Sequence, residues 1–161
     1  MNIIILFDSY FGNTEKIARA MGESFNKNVN VKVYRISEIT WQEISDTDIL
    51  IVGSPTRGFQ PSETTKNFLK SIPAKSLKGV KVAAFDTRLL LSEIKSRSVR
   101  FIVKTGGYAA KHIAKALAKK GGEFIITPEG FFVSTEKGPL IKGEIQRAAN
   151  WAGMIVNHQL I

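Results

Sequence analysis

Apolar positions fall along this chain in two rhythms. Nearly continuous runs occur at Ile3 to Phe7 and at Asp48 to Gly53, and runs of that kind read as strands buried on both faces. Val29 to Arg35, Gly79 to Phe85 and Glu123 to Thr127 complete a set of five predicted strands. Between them the apolar spacing changes to three and four, the period of a helix with one buried stripe. Ile17, Ala18, Met21 and Phe25 mark the first helix, and Ile39, Trp41 and Ile44 a short one over Glu38 to Ile44. A helix over Ser62 to Ser71 turns Phe68, Leu69 and Ile72 inward, and another near Tyr108 to Lys120 shows Ala109, Ile113, Ala116 and Leu117. The last helix shows Ile141, Ile145, Ala148, Ala149, Ala152, Ile155 and Val156, with Trp151 as a packing residue beside that face. About twenty residues separate the fourth strand from the next helix, too many for a structureless loop in a compact domain. A short helix or ordered flap is therefore expected within Leu90 to Lys104, while Pro128 to Pro139 reads as an excursion after the fifth strand.

Strands alternating with helices predict an α/β, doubly wound parallel sheet with helices on both faces. Ligands of such sheets lie beyond the carboxyl ends of the strands. Three stretches end there: Ser9 to Thr14, Ser54 to Gln60, and Asp86, Thr87 and Arg88. The first, Ser9-Tyr10-Phe11-Gly12-Asn13-Thr14, feeds a strand into a helix whose opening amides have no partner within the helix. Those amides and the helix dipole favour an anion there. Ser9 and Thr14 add hydroxyl donors, Gly12 lets the backbone approach, and the turn holds no lysine.

At these positions the sequence resembles the flavodoxin family. Ile5, Leu6, Phe7, Ser9, Gly12, Thr14 and Ala18 stand at the spacings of its phosphate-loop signature, with Met21 where an aliphatic residue is usual. Gly53-Ser54-Pro55-Thr56 looks like the loop holding one side of the isoalloxazine, and together the two motifs extend the resemblance over essentially the whole chain, a single domain of residues 1–161. The resemblance implies a five-stranded sheet of order 2-1-3-4-5 and flavin mononucleotide (FMN) as cofactor. Its site residues would be the first loop, the second loop from Ser54 through Arg57, Gly58 and Phe59, and the third loop, Asp86 to Arg88. Phe59 is the nearest aromatic wall for the ring, with Tyr10 or Phe11 next. Amides from Thr56 to Phe59 would face the pyrimidine edge, and Gly58 would be the point of the backbone flip that flavodoxins use. Flavodoxins commonly stack the ring between a Trp and a Tyr. The third loop here offers no aromatic, so one face would be aliphatic or open.

Composition narrows the function further. The chain has no cysteine, which excludes disulfides, cysteine-held iron–sulfur clusters and cysteine nucleophiles and is compatible with a reducing, cytoplasmic setting. No run of 18 apolar residues spans a membrane and no signal peptide is expected. No Gly-x-Gly-x-x-Gly or Gly-Lys-Ser/Thr follows the first strand, which sets aside a dinucleotide fingerprint and a nucleotide-triphosphate loop. No cluster has metal-ligand spacing. His112 and His158 read as surface residues away from the three loops. Asp8 stands alone after strand one and Gly53 replaces an acceptor aspartate, so a phosphorylated receiver domain is set aside.

The net charge is +9, unevenly spread: residues 1–65 carry 6 Lys and Arg against 8 Asp and Glu, residues 66–161 carry 17 against 6. Many flavodoxin-like carriers are acidic. A basic balance favours acidic redox partners, although the lysine row Lys111, Lys115, Lys119 also reads as a solvated face. The leading expectation is an FMN-binding electron-transfer protein without catalytic residues of its own. The alternatives are an FMN-dependent NAD(P)H:quinone or flavin reductase, and a flavin-free module acting through its basic half. Nucleic acid is a poor fit, since aromatics do not interleave with the basic residues beyond Arg100-Phe101.

Overall fold

The computed structural model describes residues 1–90, 95–98, 101 and 107–157. Strands β1 (Asn2–Phe7), β2 (Asn30–Arg35), β3 (Ile49–Pro55), β4 (Lys81–Leu89) and β5 (Glu123–Phe124) form a parallel sheet in the order β2-β1-β3-β4-β5, and β6 (Glu129–Val133) also pairs with β4. Helices α1 (Asn13–Ser24) and α4 (Glu144–Asn157) cover one face; α2 (Glu63–Ser71) and α3 (Ala109–Lys119) cover the other. The expected fold class and strand order hold.

The differences lie where tertiary pairing overrides local pattern. Strand β4 runs on through Asp86, Thr87 and Arg88, placed in a loop from sequence. Its inner edge pairs with β3 as far as Pro55↔Thr87, and its outer edge with β6 from Phe85 to Leu89. The backbone is therefore satisfied on both sides. The fifth sheet position is split: β5 meets Lys81 and Val82, the chain leaves at 125–128, and β6 returns. The supposed excursion after Pro128 is thus half strand. It carries Phe131 into the core, edge-to-face with Phe85 (6.1 Å) and Trp151 (6.3 Å). The predicted short helix becomes two 3₁₀ turns, Ile36–Glu38 and Trp41–Ile44, which still bury Ile36, Trp41 and Ile44. In α4 the inward face is Ala148, Trp151, Ala152 and Ile155; Ile145 is exposed and Ile141 precedes the helix. The helix or flap expected in 90–104 falls mostly outside the described residues, as does His158.

Close approach fixes one glycine. A Cβ on Gly53 would lie 2.0 Å from the Phe85 ring, so the two central strands pack with glycine against phenylalanine. Among the described residues no helix is long and apolar enough to cross a membrane, and no group of three or more His, Asp or Glu could hold a metal.

Candidate functional site

The bend after β1 is built on Gly12, which sits at φ +86 as the residue before α1. That left-handed conformation costs a side-chain-bearing residue about 1 kcal/mol, and here glycine turns the chain into the helix. Gly12 N–H donates to Ser9 Oγ (3.0 Å), and Lys16 N–H returns to the Gly12 carbonyl. No side chain caps α1, and among the described residues nothing accepts from the amides of Asn13, Thr14 and Glu15. Ser9 Oγ accepts one bond and keeps its O–H. Thr14 and Thr87 share a buried hydroxyl–hydroxyl bond of 2.8 Å, which leaves one O–H of the pair free. Arg35 steadies the bend from behind, donating to the Ser9 carbonyl (3.0 Å) and to Glu15 (2.7 Å). The Arg19 and Arg35 guanidiniums hold the Glu15 carboxyl below its ordinary value, the Arg19 hydrogen bond foremost.

The second loop is a tight reversal. Arg57 and Gln60 exchange two backbone bonds of 2.9 Å, and the residues between, Gly58 (φ +51) and Phe59 (φ +64), are both left-handed. Two positive φ values at the centre of a two-residue turn make it type I′. Thr56 N–H is taken by the Thr87 carbonyl and Arg57 N–H by Gln60. Of the amides expected at a pyrimidine edge, only those of Gly58 and Phe59 remain open among the described residues.

The third element carries a buried ion pair. Asp86, fully buried, is gripped by Arg88 and accepts from the Ala110 amide (2.8 Å), while Thr56 Oγ1 accepts from the Ala109 amide (3.2 Å). Burial pushes the Asp86 carboxyl up, against Arg88, the Ala110 amide and Thr56. Arg88 in turn lies 3.9 Å over the ring of Tyr108, and Tyr108 meets Phe59 edge-to-face at 6.3 Å. Burial raises the Tyr108 phenol too, with the Arg88 cation pulling the other way.

These pieces surround a cavity of about 300 Å³. From the first loop Ser9, Tyr10, Phe11, Asn13 and Thr14 line it; from the second, Pro55, Thr56, Arg57, Gly58 and Phe59; from β4, Thr87 and Arg88. Gly12 shapes the bend without forming the wall. Ser54 and Asp86 sit behind the wall, Ser54 bonded to Ser62 and Asp86 to Arg88. Tyr10 and Phe11 are half exposed, with the Arg57 guanidinium 5.1 and 5.3 Å from their ring centres.

Sequence reasoning missed four wall residues: Leu89, Tyr108, Val133 and Glu136. Tyr108 supplies the aromatic that the third loop lacks. Its signal was its place before Ala109, the start of a helix that opens at the carboxyl edge of the sheet. Glu136 belongs to a further loop after β6, tied to the first by Asn13 Nδ2 donating to the Lys137 carbonyl (3.1 Å). His112 is not remote from the loops: its Nε2 lies 3.1 Å from Gln60 Nε2, because α3 begins level with the second loop.

The residues fit FMN. An anion can meet the three open amides and two free hydroxyls, and a flat ring can lie against Phe59 and Tyr108 while two open amides face its polar edge.

The flavodoxin family model matches residues 5–153. The fold is similar to that of oxidised flavodoxin 1 from Bacillus cereus (TM-score 0.76, 16% identity, 98% of this chain and 99% of that one). It is similar also to a flavodoxin from the domain Archaea (0.74, 20%, 99% of each). Rubredoxin oxygen:oxidoreductase from Desulfovibrio gigas matches at 0.72 and 24% over 97% of this chain and 35% of that longer one. No curated protein sequence matches the chain. The family match covers nearly the full length, and the chain belongs to the flavodoxin family, whose members bind FMN.

Proposed function

We propose that this protein holds FMN in the cavity between its first and second loops and carries electrons between redox partner proteins. The observation that supports it is the row of unpartnered amides at Asn13, Thr14 and Glu15, opening where Ser9 and Thr14 line the same cavity as Phe59 and Tyr108. FMN supplies the redox chemistry when bound. The chain's part is to bind the phosphate by main-chain donors and hydroxyls, to cover the ring, and to keep positive charge nearby through Arg57. With a net charge of +9, acidic partners fit best.

The test is titration of apoprotein with FMN and with riboflavin, followed by flavin fluorescence. FMN binding at least 100-fold tighter than riboflavin supports the reading; equal affinities overturn the phosphate assignment. Steady-state NADPH oxidation with a quinone then separates the two redox roles. Rapid turnover by FMN-loaded protein would make it a reductase; its absence supports a carrier.

A further inference from the structure

The sheet divides the helical charge. On one face α1 carries Glu15, Lys16, Arg19 and Glu23, and α4 carries Glu144 and Arg147; each helix sums to zero. On the other face α3 carries Lys111, Lys115 and Lys119 with no acid, and Lys120 follows it. Beside it, α2 adds Lys66 and Lys70 against one acid, Glu63, which is paired to Lys66. A lysine-rich but indifferent surface would spread its charge over both faces.

Two contacts fix how α2 and α3 lie. Lys120 Nζ reaches the Lys70 and Ile72 carbonyls at the carboxyl end of α2, and His112 meets Gln60 just before its start. The helices therefore run side by side in the same direction. Lys111, Lys115 and Lys119 are exposed and none of them forms an ion pair among the described residues. Besides Glu63, the acids of this face are Glu38, Glu43 and Asp46, in and after the 3₁₀ turns at the β2 edge beyond α2, where Lys32 offsets one of them. The face thus grades from negative at one edge to positive at the other, which gives an approaching charge a direction as well as an attraction. The positive end adjoins the cavity: Gly58 and Phe59 are in its wall, Gln60 follows, and His112 feels Lys66, Lys111 and Lys115 together.

We infer that the α2–α3 face is the docking surface for an acidic redox protein, whose redox centre it brings against the Phe59–Tyr108 side of the cavity. The electron-transfer part rests on the FMN reading; the docking part does not. A nucleic acid would want aromatic platforms among the cations, and no Phe, Tyr or Trp stands among the exposed lysines of α3, whose single ring, His112, is partly buried.

The test uses an acidic plant-type [2Fe–2S] ferredoxin as probe. Its binding is measured by calorimetry with and without FMN, and electron transfer from the reduced probe by stopped flow. Lys111→Glu with Lys115→Glu is compared with Lys27→Glu plus Lys142→Glu, which change charge by the same amount elsewhere. At low ionic strength the first pair is expected to lower affinity and association rate about tenfold or more, and the second less than about threefold. At several hundred millimolar salt, where screening acts within a few ångströms, the difference should close. Equal losses from the two pairs, or no probe binding at low salt, overturn the docking face. Tighter binding of a 20-base-pair DNA that the first pair alone abolishes would assign the face to nucleic acid instead. Should calorimetry show the expected contrast while no flavin binds, the face stands and the FMN reading falls.

Discussion

Asp86 and Arg88 meet as a two-pronged fork, Arg88 Nε to Oδ1 at 2.6 Å and Nη2 to Oδ2 at 2.7 Å, with the carboxylate wholly buried. They stand two apart on β4 and so share a face of the sheet. The strand beside them makes room: Gly130 is in register with Asp86, and a Cβ there would lie 2.1 Å from Arg88 Cζ. Removing Arg88 leaves the buried Asp86 carboxylate with only the Ala110 amide and Thr56 to hold its charge. Arg88→Met is expected to destabilise by about 3–5 kcal/mol, and Asp86→Asn with Arg88→Met together by less than the sum of the single changes. Chemical denaturation of the four species in a double-mutant cycle checks this; additivity would remove the coupling.

Ser9 offers a second, local test. Ser9→Ala deletes the acceptor for Gly12 N–H and a hydroxyl free to donate into the cavity. FMN affinity is expected to fall about tenfold, the worth of one or two hydrogen bonds, while riboflavin affinity stays within about twofold. Loss of both in parallel would mean a collapsed bend rather than a lost phosphate contact.

The imidazole of His112 is held below its ordinary value of 6.5, chiefly by burial and then by Lys115, Lys111 and Lys66. A base depressed in the folded state binds fewer protons there than when unfolded. Its contribution to stability is therefore intact above pH 6.5 and is lost as pH falls through the folded value. An NMR titration of the ring should show an inflection below 6.5, and Lys115→Gln should move it upward. In His112→Gln the corresponding part of the pH dependence of unfolding should vanish.

Positive charge around the cavity bears on redox energetics. Arg57 lines it, while the charge of Arg88 is balanced by Asp86, and a cation near a flavin opposes the build-up of negative charge less than acidic surroundings do. The second-electron potential of the FMN-loaded protein is expected to lie above those of acidic flavodoxins, and Arg57→Glu to lower it. An anaerobic redox titration reads both; a potential as low as the acidic proteins', unmoved by the substitution, would refute the electrostatic account.

The fold was readable where local pattern and tertiary environment agree. Ile3 to Phe7 and Ile49 to Val52 are apolar because both sheet faces are covered there, and their strands follow at once. Thr87 and Arg88 look like loop residues because polarity usually marks a strand's end, yet β6 pairs with them from 44 positions on, Thr87 with Phe131 and Arg88 with Phe132, and keeps the strand going. The first loop announced itself through spacing within a few residues. Tyr108 was marked only by its place at the start of α3 and Glu136 not at all, since what makes them wall residues is the arrival of α3 and of the loop after β6 at the same edge.

The tie from Asn13 to the Lys137 carbonyl spans 124 positions. It makes the first bend dependent on a stretch synthesised long after it, so a nascent chain would present its helix amides well before their geometry is secured. Because a ligand that recognises only the finished state stabilises it by mass action, occupancy of that bend becomes a readout of whether the loop after β6 has taken its place.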